Sequence, residues 1–162
     1  PAYGADIVVS CEKAKDPKNG SIYLKPTQFV LGIGCRRNTA FENIDRAIRQ
    51  SLLKLQIDIS DIDMIASIDV KKDEPGIKEF CERNRIDFVT YTADELMAVQ
   101  GEFSASQFVR EHVGVDNVCE RAAVLACSME CNEAGKLIYK KHKYDSVTVA
   151  VARLYKNSRD GD

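Results

Sequence analysis

Phe29-Val30-Leu31-Gly32-Ile33-Gly34 carries no polar side chain, and this run limits the possible folds more than any other feature of the chain. A strand with one wet face alternates apolar and polar residues. A continuous apolar strand must be buried on both faces, as at the centre of a sheet covered by helices. The following segment supplies a helix: Phe41, Ile44, Ile48, Leu52 and Leu55 recur at helical spacing, and Thr39 with Glu42 predicts a capping box at its start. Met64 to Ile68 is a second apolar strand. Pro75 suits the first turn of a helix ending near Asn84, where its missing amide costs nothing. Asp87 to Tyr91 is a third strand, and Thr92 with Glu95 opens a short helix through Val99. Ser104 to Gly114 and Val118 to Cys131 read as two more helices. Lys136 to Tyr139 and Val147 to Leu154 read as a hairpin around a Lys140-Lys141-His142-Lys143 tip. This order predicts an α/β fold: a helix-covered, mostly parallel sheet with an antiparallel C-terminal hairpin. Residues 28–156 form the domain, Asp6 to Ser10 an extra short strand, Cys11 to Pro26 a linker, and 157–162 a disordered tail.

Composition enters through what it excludes. With 162 residues, 44% apolar and 30% charged, the chain suits one domain with a true core rather than a disordered segment. A net charge of −2 argues against a dedicated nucleic-acid binder. The apolar runs fall far short of the roughly 18 residues that cross a bilayer, so no membrane partner is expected. No signal or transit sequence is visible, and an opening Pro1 in place of Met predicts preceding residues. Six cysteines without a C-x-x-C pair predict free thiols and a reducing, cytoplasmic setting.

Ligands of open α/β sheets bind beyond the carboxyl ends of the parallel strands. Two loops qualify. After the first strand come Gly32, Gly34, Cys35, Arg36, Arg37 and Asn38; after the second come Asp69, Lys71, Lys72, Asp73 and Glu74. If the strands are neighbours, four cations converge beside glycines and helix amino termini, a setting suited to anions. The ordinary account is solvated surface charge. The first loop is a poor dinucleotide site, because Arg37 stands where the fingerprint needs glycine and the acidic position falls on Asp58. Cys35 is open to two accounts: an activated nucleophile between cations, or a small residue filling a tight turn. Asp69, Asp73 and Glu74 are candidates for general acid or base work, against solubility and helix-dipole roles. Glu120, in an otherwise apolar helix, is a further candidate. Cys119, Cys127 and Cys131 share one helix at a spacing that does not close around a small ion, so no protein metal site is expected. His112 and His142 read as structural or surface residues.

Gly32 to Arg37, Ile65 to Gly76 and Gly114 to Ala123 closely resemble three motifs of the CbiG carboxy-terminal and CobE domains, and the closing strand Thr148 to Arg153 is similar too. The resemblance spans about Phe29 to Leu154. Asn38 departs from a frequent family glycine, and asparagine tolerates the left-handed backbone better than most residues. The resemblance implies a role in cobalamin biosynthesis, with residues 1–27 as the tail of a preceding domain plus linker. It implies part of a cobalt-precorrin-5A hydrolase that opens a ring lactone and releases acetaldehyde. Asp73 or Glu74 would then act as base, and Gly32, Gly34, Cys35, Arg36, Arg37, Asn38, Asp69, Lys71, Lys72 and Glu120 would hold substrate. Cobalt would travel in the substrate, so no cofactor is expected. Expected partners are the cobalt-containing tetrapyrrole, the preceding CbiG domains and other pathway enzymes, with a homodimer left open. The alternative is a non-catalytic module that binds or hands over a corrinoid intermediate.

Overall fold

A computed structural model describes residues 7–9, 22–24, 27–103, 117–131 and 135–155. The apolar run becomes strand β3 (Thr27–Cys35), at the centre of a five-stranded sheet. It is followed by α1 (Phe41–Leu55), β4 (Ile62–Ile68), α2 (Pro75–Asn84), β5 (Asp87–Tyr91), α3 (Ala93–Met97), α4 (Val118–Cys131), β6 (Lys136–Tyr144) and β7 (Val147–Tyr155). The strand order is β5-β4-β3-β7-β6. β3 pairs parallel with β4, and β4 with β5, while β7 runs antiparallel to both β3 and β6. Four of the five strands therefore point the same way, and the sheet ends in an antiparallel hairpin as expected. Two further strands, β1 (Ile7–Val9) and β2 (Ile22–Leu24), pair parallel with each other. The stretch expected to be linker thus contains a strand.

The absence of alternation in β3 is explained by its two neighbours. Leu31 and Ile33 pack with Ile44, Ile48 and Phe80 of α1 and α2 on one face. Val30 packs with Ala122, Ala123 and Ala126 of α4 and Leu96 of α3 on the other. The α4 contact is unusually close. A methyl group on Gly32 would lie 1.7 Å from the Cys119 carbonyl oxygen, so only glycine allows the helix to settle there. The freedom of Gly32, expected to serve a ligand, is spent on helix packing.

Local rules account for the ends. Pro75 occupies the first turn of α2, and Thr92 and Glu95 form the expected capping box of α3. Thr39 does not cap α1. The helix begins one residue later than that motif requires, with Ala40 at its N-cap, and the Thr39 hydroxyl donates instead to the Arg36 carbonyl at 2.7 Å. The hairpin also differs from expectation. Lys140 to Lys143 lie inside β6, and the chain reverses at Asp145 and Ser146, with Asp145 at a φ of 49°. The helix expected over Ser104 to Gly114, with His112, lies outside the described residues.

Candidate functional site

The carboxyl ends of β3 and β4 lie side by side, and their loops are tied together. Inside the sheet, the Ser67 hydroxyl donates to the Ile33 carbonyl at 2.7 Å. Above it, the Asn38 N–H donates to Glu74 Oε1 at 2.5 Å, and Glu74 Oε2 lies 3.7 Å from Lys71 Nζ. Asn38 adopts a φ of 59°, the left-handed conformation that asparagine tolerates. The hairpin turn closes the other side: the Arg36 N–H donates to the Ser146 carbonyl at 3.1 Å, and Thr39 Oγ1 lies 3.3 Å from Ser146 Oγ. Arg36, Arg37 and Lys72 stand exposed on this frame and make no ion pair among the described residues. Asp73 is exposed beside them and Asp69 is half-buried in a short 3-10 turn, Asp69–Lys71.

Two carboxylates expected at a ligand surface are inside. Glu74 is 7% exposed and Glu120 is 1% exposed. Glu120 lies in the first turn of α4, where its Oε1 accepts the Lys141 N–H at 2.7 Å and its own N–H donates to Asn117 Oδ1 at 3.3 Å. A buried ionisable group needs such partners, because charge out of water is costly. Gly34 is likewise packed, since a methyl there would meet Thr148 Oγ1 at 2.7 Å. Burial pushes the Cys35 thiol up to about 11, against the opposing pull of the nearby Lys71. That favours the packed, neutral thiol over an activated nucleophile.

The family model described as "Cobalamin synthesis G C-terminus" matches residues 29–152, the span of the five-stranded sheet and its helices. The chain belongs to this family. It is 33% identical over 128 residues to the cobalt-precorrin-5A hydrolase of Salmonella typhimurium, covering 79% of this chain and 35% of that protein. It is 32% identical over 137 residues to the probable cobalt-precorrin-5A hydrolase of Methanocaldococcus jannaschii, covering 82% of this chain and 42% of that protein. The chain thus spans less than half the length of these two relatives. Among solved structures it resembles CobE, a protein from the cobalamin biosynthetic pathway, with a TM-score of 0.75 and 25% identity over 80% of this chain and 92% of that one.

The family motifs fall on both sides of the sheet. The first two form the rim of β3 and β4, while the third enters α4 and carries Glu120 beneath β6. Sequence therefore brought Arg36, Arg37, Asn38, Lys71, Lys72, Asp73 and Glu74 to one place, while Glu120 follows Cys119, whose carbonyl lies over Gly32 of β3. It missed Ser67, Thr39 and Ser146 as the hydroxyls that bind the rim together. Ser67 had a signal, being the one hydroxyl in the apolar stretch Met64 to Ile68. Asp58, the position a dinucleotide fingerprint would use, caps a 3-10 turn by accepting the Ser60 N–H at 2.9 Å. Cys119 and Cys127 are buried, and no metal-holding cluster occurs among the described residues. His142 stacks on Tyr139 at 4.0 Å. No helix among the described residues is long and apolar enough to cross a membrane.

Proposed function

We propose that this chain grips the carboxylate arms of a cobalt-containing tetrapyrrole and serves as part of a cobalt-precorrin-5A hydrolase. The observation that carries this is the rim itself. Three exposed cations, Arg36, Arg37 and Lys72, stand on adjacent loops fixed from both sides. Arginine grips carboxylates through paired N–H donors, and loops already in place lose little freedom on binding. Cobalt enters with the substrate in this reading, and the remaining length of the hydrolase relatives supplies neighbouring domains around the macrocycle. In this reading Asp73, an exposed carboxylate of the β4 loop, activates water against the ring lactone, with acetaldehyde as the released fragment.

A second reading is a binding or handover module without chemistry of its own. It starts from CobE, where the match covers 92% of the chain, so that this fold stands there without the remaining length of the hydrolase relatives. Two measurements divide the readings. Titrating the chain with a cobalt uroporphyrin, whose arms are all carboxylates, should change its absorbance. Replacing Arg36 and Arg37 together with Gln should weaken that binding by about tenfold or more. Equal binding by the double variant would remove the rim from substrate recognition. Release of acetaldehyde from cobalt-precorrin-5A by the intact protein, lost in Asp73→Asn, supports hydrolysis; binding without release supports handover.

A further inference from the structure

We infer that Glu74 is a positioning residue: its buried carboxylate locks the two loops into one carboxylate-binding rim without itself meeting substrate. The inference rests on the reading of the rim as the place where tetrapyrrole arms are held. One oxygen of Glu74 takes the Asn38 N–H at 2.5 Å, and the other faces Lys71 Nζ at 3.7 Å. At 7% exposure the carboxylate is sealed beneath the cations rather than presented among them. The residue also ends the β4 loop at the N-cap of α2, yet its side chain caps nothing in its own helix. It reaches across 36 positions to the neighbouring loop instead.

The packing below shows why this link sets geometry. A methyl group on Gly76, in the first turn of α2, would lie 2.6 Å from the Thr39 carbonyl oxygen. The start of α2 is therefore pressed against the β3–α1 loop, and Glu74 fastens the contact where Asn38 turns left-handed. Arg36 and Arg37 directly precede Asn38, so the position of that amide sets where their side chains leave the backbone. Lys71, drawn toward Glu74, is taken out of the set of free cations. The rim therefore meets a polyanion with Arg36, Arg37 and Lys72.

A general base and a clamp respond differently to substitution. Glu74→Gln keeps an oxygen that accepts the Asn38 N–H but cannot take a proton from water. As a clamp, it should leave binding of cobalt uroporphyrin, and kcat on cobalt-precorrin-5A in the intact protein, within about threefold of wild type. As a general base, its loss would cut kcat by about 10² or more. Glu74→Ala frees the amide and the loop, and should weaken cobalt uroporphyrin binding and raise KM by about tenfold with kcat little changed. Circular dichroism of Glu74→Ala checks that it folds, and if it does not, the Gln variant decides alone. A collapse of kcat in Glu74→Gln, or unaltered affinity in a folded Glu74→Ala, overturns the inference. Failure of the wild-type chain to bind the probe strikes at the rim reading, a different result from a wild type that binds and a Glu74→Ala that binds as well.

Discussion

Glu74 and Glu120 occupy matching positions on the two sides of the sheet and do different things. Both are buried acids near the start of a helix, and both accept a backbone N–H from another element, at 2.5 Å from Asn38 and 2.7 Å from Lys141. Glu120 joins the first turn of α4 to β6 through the Lys141 N–H and is bonded to Asn117 at the helix start. Around Glu74 lie Lys71 and a rim of exposed cations. A buried acid that accepts a strand N–H ties a helix to that strand. The same group beneath solvent-facing cations orders the loops that carry them, leaving the ligand surface to other residues.

The α4 side should then behave as core. Gly32→Ala is the largest expected effect, because its methyl would meet backbone rather than a movable side chain. Overpacking of that kind should cost more than about 3 kcal/mol in urea unfolding, with α4 displaced from β3. A variant as stable as wild type would show that helix and strand separate easily, and the contrast between the two sides would lose its basis.

Removing each acid in turn gives the next effect. Glu120→Ala removes the acceptor of the Lys141 N–H and empties a site that is 1% exposed, and should cost about 3 kcal/mol, whereas Glu74→Ala, whose partner Asn38 is exposed to water, should cost about half that. Urea midpoints measured side by side check the ratio. If Glu74→Ala proves the more damaging, the rim is the foundation and α4 the accessory.

The fold was legible because its strongest signals are local. β3 lacks alternation, α1 keeps a helical period, and Pro75 and the Thr92–Glu95 pair mark helix starts that the structure repeats. The hairpin tip was misplaced because Lys and His at 140–143 look like turn residues by polarity. In fact β6 is an edge strand, where lysine is tolerated and guards against stray pairing. The loops were found by their place at the strand ends, but the roles within them were not. A sequence shows that Glu74 stands beside Lys71 and Lys72. It does not show which way the side chain turns, and burial beneath the Asn38 amide depends on a contact 36 residues away. Glu120 is similar, since its partner arrives 21 residues later on β6.

The smallest effect separates two thiols of the same chain. Burial pushes Cys35, at the rim, from 9.0 to about 11, and Cys119, in the first turn of α4, from 9.0 to about 12. A raised value means that the folded protein holds its proton where the unfolded chain has already released it. Each thiol therefore stabilises the fold less as pH climbs above the unfolded value, and the urea midpoint should begin to fall at about pH 9. Alkylation by iodoacetamide distinguishes the sites, because only the thiolate reacts. Cys35 is half-buried, so it should label slowly near neutral pH and faster as pH approaches 11. Cys119 is sealed against Thr148 and Glu120 and should label only at the rate of global opening, with the same urea dependence as unfolding. Peptide mapping of partly labelled protein gives both rates. Rapid labelling of Cys35 at neutral pH would mark an activated thiol among the cations and restore it as a nucleophile. Rapid labelling of Cys119 would mean that α4 lifts from β3 far more readily than its contact with Gly32 allows.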